Sequence, residues 1–103
     1  MNKTQRIFIF THIKSSNNTN LKKDYILAVY TEKTDAVQTL KKQFQKTLKQ
    51  TRLNEEQKQT ETETFKNNLL QGKFSYHFRD TKDEDEPQYF GKIHTRTITQ
   101  EGI

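Results

Sequence analysis

The run Arg6-Ile7-Phe8-Ile9-Phe10-Thr11-His12-Ile13 gathers β-branched and aromatic side chains into a stretch too short for an ordinary helix. These side chains fit a pleated, half-buried surface, so the run predicts a strand over about 6–14. Ser15-Ser16-Asn17-Asn18-Thr19-Asn20 follows; its side chains compete for backbone hydrogen bonds and read as a loop. A second strand is expected over 24–31, antiparallel to the first.

From there the period changes. Ala36, Val37, Leu40, Phe44 and Leu48 recur at three- and four-residue spacing, one stripe of a helix over about 33–51 capped by Thr31 or Thr34. Lys42, Lys46 and Lys49 fall on its opposite side. Asn54 with Gln57 forms a capping-box pattern, and Phe65, Leu69 and Leu70 supply a short stripe, so a second helix is expected over 55–70, ended by Gly72. Phe74, Tyr76 and Phe78 alternate with Ser75, His77 and Arg79, the two-residue period of a strand over 73–80. The acidic turn Asp83-Glu84-Asp85-Glu86-Pro87 leads into a last strand over 88–99, with residues 100–103 fraying. The order ββααββ predicts an α+β fold: one domain over 1–103, a four-stranded antiparallel sheet with one or two helices on one face.

Hydrophobic residues make up only 29% of the chain and charged residues 30%, so the core is thin; seven Phe and four Tyr concentrate the apolar area that orders it. The absence of Cys removes disulfides, thiolate metal sites and thiol chemistry and fits a reducing cytoplasm. The apolar run Ile7–Phe10 is too short for a signal-peptide core or a membrane span. The net charge of +5 is lopsided: residues 1–52 carry eleven Lys/Arg against three acids, whereas residues 53–103 carry seven against ten.

Placing Ile7, Ile9, Ile13, Phe74, Tyr76, Phe78, Tyr89 and Ile93 toward the helices puts Phe8, Phe10, His12, His77, Arg79, Phe90, Lys92, His94 and Arg96 on the other face. An aromatic and basic sheet face suits single-stranded nucleic acid, since bases stack on rings while cations hold phosphates. It equally suits a homodimer interface or a different protein, for which aromatics and Arg are enriched anchors. His12, His77 and His94 on that face invite a zinc reading. They come from different strands without short ligand spacing, so ordinary strand histidines and no cofactor are expected. Lys42, Lys46 and Lys49 read as a solvated stripe or a track for an acidic surface. Asp80, Asp83, Glu84, Asp85 and Glu86 lack the glycine and terminal Glu of a calcium loop; they read as a solvated hairpin loop, or alternatively as a cluster that occupies an Arg/Lys pocket on a partner. No nucleophile elbow, triad or paired carboxylates are legible, so no enzyme is expected.

The segments Ile7–His12, Ala28–Ala36 and Tyr89–His94 resemble small proteins encoded by phages and prophages of Gram-positive bacteria. That resemblance implies the anti-CRISPR and other anti-defence type, inhibitors that bind and block a host protein or nucleoprotein complex in the cytoplasm without chemistry. Direct single-stranded nucleic-acid binding or a small regulatory role, and a homo-oligomeric structural protein, are the alternative readings.

Overall fold

A computed structural model of the chain describes residues 2–15, 25–80 and 87–101. Strand β1 (Asn2–Ser15) and β2 (Tyr25–Tyr30) are followed by helices α1 (Lys33–Gln50) and α2 (Glu55–Leu70), then β3 (Ser75–Arg79) and β4 (Gln88–Glu101). All strand pairings are antiparallel, in the spatial order β2-β1-β4-β3. The expected α+β architecture and element order are therefore present.

Helix α1 buries Ala36, Leu40, Phe44 and Leu48, its four-residue stripe, together with Thr47. Its N-cap is Glu32, without a side-chain cap bond, so neither Thr31 nor Thr34 takes the capping role expected of it. At the other end the Thr51 hydroxyl donates to the Leu48 carbonyl at 2.6 Å. Helix α2 opens on the reciprocal capping box, Gln57 N–H to Asn54 Oδ1 at 2.8 Å and Asn54 N–H to Gln57 Oε1 at 3.0 Å. It buries Phe65 alone, and Leu70 at its end is 86% exposed. Gly72, at φ 80°, closes it: Gly72 N–H bonds Leu69 O and Lys73 N–H bonds Asn68 O, the paired bonds that need a left-handed residue after a helix.

The core is an aromatic cluster between the helices and one sheet face. Phe44 stacks on Phe65 with centroids 4.2 Å apart and meets Phe78 edge-on at 5.4 Å, with Phe10, Leu40, Leu48, Tyr76 and Tyr89 completing it.

Strand β1 enters this core on the face opposite to the expected one. Phe8, Phe10 and His12 are buried beneath the helices, while Ile7, Ile9 and Ile13 lie on the helix-free side. The reason is register. β1 and β4 pair as Phe10↔Ile93 and His12↔Gly91, so even positions of β1 sit opposite odd positions of β4. Directly opposed residues share a face. Tyr89 and Ile93 face the helices, and they carry the even residues of β1 with them.

The central strands also outrun expectation. β1 and β4 pair over fourteen positions, from Asn2↔Glu101 to Ser15↔Gln88, so Gln100 and Glu101 belong to the ladder rather than to a frayed end. β2 flanks only Phe8–Ile13, and β3 flanks only Gln88–Lys92. Residues 2–7 and 96–101 thus form a two-stranded ribbon beyond the four-stranded body, and the molecule is elongated, 54 × 34 × 17 Å.

Candidate functional site: the helix-free sheet face

Both helices pack on one side of the sheet, and the strand registers write the composition of the other side row by row. Tyr25, Ile13, Phe90 and His77 form one row; Leu27, Thr11, Lys92 and Ser75 the next; Val29, Ile9 and His94 a third; Ile7 and Arg96 a fourth. The β2–β1 half is aliphatic, and the β4–β3 half is aromatic and cationic. Tyr25, Leu27 and Val29 are 55%, 54% and 54% exposed. Such contiguous apolar exposure on a small protein marks a surface that something covers. Among the described residues no strand contributes a carboxylate to this face.

His77 stacks on Phe90, centroids 4.3 Å apart and planes 10° from parallel, and its Nε2 lies 2.9 Å from Gln88 Oε1, so the ring pair is held flat against the strand. His94 Nε2 is 3.4 Å from Thr11 Oγ1, a weak contact across the strand pair. Arg96 turns its guanidinium back onto the Thr95 carbonyl at 2.9 Å. At the β3 edge a cleft between strand and α2 brings Glu61 toward His77; burial raises the Glu61 carboxyl above the usual carboxylate range, and the His77 charge opposes that shift.

Of the expected site residues, His77, Arg79, Phe90, Lys92, His94 and Arg96 do share the helix-free face. Phe8, Phe10 and His12 do not. They are core residues, and the His12 ring packs between Tyr76 and Tyr89, centroids 5.9 and 6.0 Å away. The three histidines consequently lie on two faces of the sheet. Among the described residues no group of three His, Asp or Glu stands close enough to hold a metal. Lys42, Lys46 and Lys49 are exposed on α1, and Lys46 borders a cleft that the helix forms with Lys14, Tyr25 and Ile26 of the sheet. Asp83, Glu84, Asp85 and Glu86 lie outside the described residues, as do the loop positions 16–20. The residues missed were Ile7, Ile9, Ile13, Tyr25, Leu27 and Val29. One signal for them was present: Tyr25–Tyr30 is apolar without alternation, the composition of a strand covered on both sides.

No helix among the described residues is long and apolar enough to cross a membrane. Comparison with protein-family models, curated proteins and solved structures finds no match for this chain.

Proposed function

We propose that this chain is a non-enzymatic binding protein that occupies a surface on a protein or nucleoprotein complex in the host cytoplasm. This is the manner of the phage and prophage inhibitors its segments resemble. The contact is the helix-free sheet face. The observation that carries this reading is the pairing of an exposed apolar half, Tyr25, Leu27 and Val29, with a half that carries Lys92 and Arg96 on either side of His94, on a face to which no strand among the described residues contributes a carboxylate. Its chemistry complements an apolar partner surface edged with acids.

A single-stranded nucleic acid fits less well. Two of the three rings expected as stacking platforms, Phe8 and Phe10, are inside the core, and aliphatic side chains supply no π-face for bases. A second copy of the chain is the other occupant to separate. Two copies would bring together two faces that each carry Lys92 and Arg96, and like charges oppose each other across an interface.

The test is affinity capture from host lysate with the native chain and with Leu27→Asp/Val29→Asp, alongside light scattering. A partner retained by the native chain and lost by the variant supports the proposal. A monomer that retains nothing, or a partner held equally by both, sinks it.

A further inference from the structure

The ribbon formed by residues 2–7 and 96–101 shares only Ile7 and Arg96 with the sheet-face reading, and the chemistry of its helix side differs from that face. Its sequences, Asn2-Lys3-Thr4-Gln5-Arg6-Ile7 and Arg96-Thr97-Ile98-Thr99-Gln100-Glu101, consist almost wholly of hydrogen-bonding side chains, with three cations against the single acid Glu101. The register divides them. Thr4 and Arg6 share the helix side with Thr99 and Thr97, while Gln5 and Ile7 share the other side with Ile98 and Arg96. The helix-side surface is therefore polar throughout its described side chains, and Thr4, Arg6, Thr97 and Thr99 are all exposed.

The helical layer stops where the ribbon begins. α1 starts at Lys33, and α2 ends just before Gly72 and Lys73. A cleft at this junction is lined by Lys33 and Lys73 together with Phe8, Phe74 and Thr95. The Lys33 ammonium sits over the Phe74 ring, 4.5 Å from its centroid, which fixes one positive charge at the foot of the ribbon. The ribbon and the end of the helical layer thus make a concave corner: one wall carries Thr and Arg side chains, and the other carries lysines. Among the described residues no carboxylate bridges Arg6, Lys33 or Lys73; the one salt bridge, Arg52 to Asp80, lies elsewhere.

We infer that this corner binds duplex DNA, the ribbon lying in the major groove with its Thr4–Arg6–Thr97–Thr99 side toward the base edges, and Lys33 and Lys73 contacting the flanking phosphates. The dimensions agree. Six residue pairs span about 20 Å, with strands about 4.8 Å apart, and a B-form major groove about 12 Å wide admits a two-stranded ribbon. Arg is the side chain that reads guanine bidentately, and Thr contacts base edges and the thymine methyl. The deep, narrow major groove of A-form RNA does not admit side chains, so the geometry selects DNA over RNA duplexes. The inference goes beyond the sheet-face proposal and rests on other residues, the helix side of the ribbon with Lys33 and Lys73, while Lys92 of the sheet face borders the same cleft and is left out of the assignment.

Fluorescence anisotropy with a labelled mixed-sequence 20-base-pair DNA duplex, the same duplex as RNA, and one DNA strand alone tests it. The expected result is salt-dependent binding of the DNA duplex, at least about tenfold tighter than the RNA duplex. Arg6→Ala weakens it about tenfold, and Lys33→Ala/Lys73→Ala lowers the slope of log affinity against log salt by about two. Leu27→Asp, on the opposite sheet face, leaves DNA binding unchanged even if it abolishes partner capture. Circular dichroism on each variant confirms the fold, and Arg6→Lys, which keeps the charge, serves as the second variant: it retains phosphate attraction and loses preference among duplex sequences. The inference is overturned by no duplex binding at low salt, by equal affinity for RNA or single strands, or by a larger loss from Lys41→Ala/Lys42→Ala on α1 than from the corner variants.

Discussion

The Tyr76 hydroxyl lies 2.6 Å from His12 Nδ1, and it reaches there by laying its ring over Gly91, the residue that separates the two in the sheet. Three adjacent strands meet in this row: His12 on β1, Gly91 on β4, Tyr76 on β3. A Cβ at Gly91 would overlap the Tyr76 ring. Here glycine is required by close approach, since the backbone of β4 serves as the floor on which an aromatic ring rests.

Gly91→Ala forces that ring off the strand and pulls its hydroxyl from His12. The expected cost is about 3 kcal/mol, the upper range for inserting a methyl group into a packed core. Urea denaturation measures it. Tyr76→Leu in the Gly91→Ala background should recover part of the loss, because the obstructing ring is gone; no recovery would mean that the glycine matters for another reason.

Burial pushes the Tyr76 phenol above its usual range, so the folded chain releases this proton less readily than the unfolded one. The stability tied to the protonated phenol is whole below about pH 10, the unfolded value, and is lost as pH rises beyond it. Tyr76→Phe should cost about 1–2 kcal/mol at neutral pH through a lost buried hydrogen bond. It should also flatten the alkaline fall in melting temperature expected of the native chain. A parallel alkaline fall in both proteins would contradict the assignment.

Glu61 has its carboxyl raised by burial against the α2–β3 edge, with His77 partly offsetting the shift. Between the unfolded carboxyl value, about 4.3, and the raised folded one, the folded state binds more protons, so stability falls as pH rises through that window. Glu61→Gln removes the penalty: its melting temperature at pH 7 should exceed that of the native chain, with the difference vanishing in acid. A lower melting temperature at pH 7 would show that the carboxylate is stabilising.

Two substitutions on adjacent residues of β1 report which face is inward. Phe10 is fully buried and Ile9 half-buried on the helix-free side. Phe10→Ala should cost about 3–5 kcal/mol and Ile9→Thr less than about 1.5 kcal/mol in chemical denaturation. Equal costs, or the reverse order, would contradict the observed register.

Much of this architecture is local and therefore legible in the chain. The four-residue stripe of α1 admits only one buried side, and the Asn54/Gln57 pair and Gly72 close their helix ends through bonds made within a few residues. β3 and β4 alternate aromatic or apolar residues with His, Arg and Lys, so each strand declares its own inward face. β1 declares nothing of the kind, because Ile7, Phe8, Ile9 and Phe10 are apolar at both parities. A strand apolar on both sides has no phase until a neighbour supplies one.

The same limit hid the ribbon. Asn2–Gln5 and Gln100–Glu101 carry no apolar alternation to extend the strands expected over 6–14 and 88–99, and their strand conformation comes from pairing with each other across the length of the chain. The sequence by itself determined the element order, the buried stripe of α1 and the inward faces of β3 and β4, since these rest on periodicity and on bonds between near neighbours. Tertiary structure alone decided that Phe8, Phe10 and His12 turn inward, that Ile7, Ile9 and Ile13 join Leu27 and Val29 on an open face, and that the central strands run on into a ribbon. Each of those outcomes depends on the register of strands some eighty residues apart, a long-range quantity that no local pattern in β1 encodes.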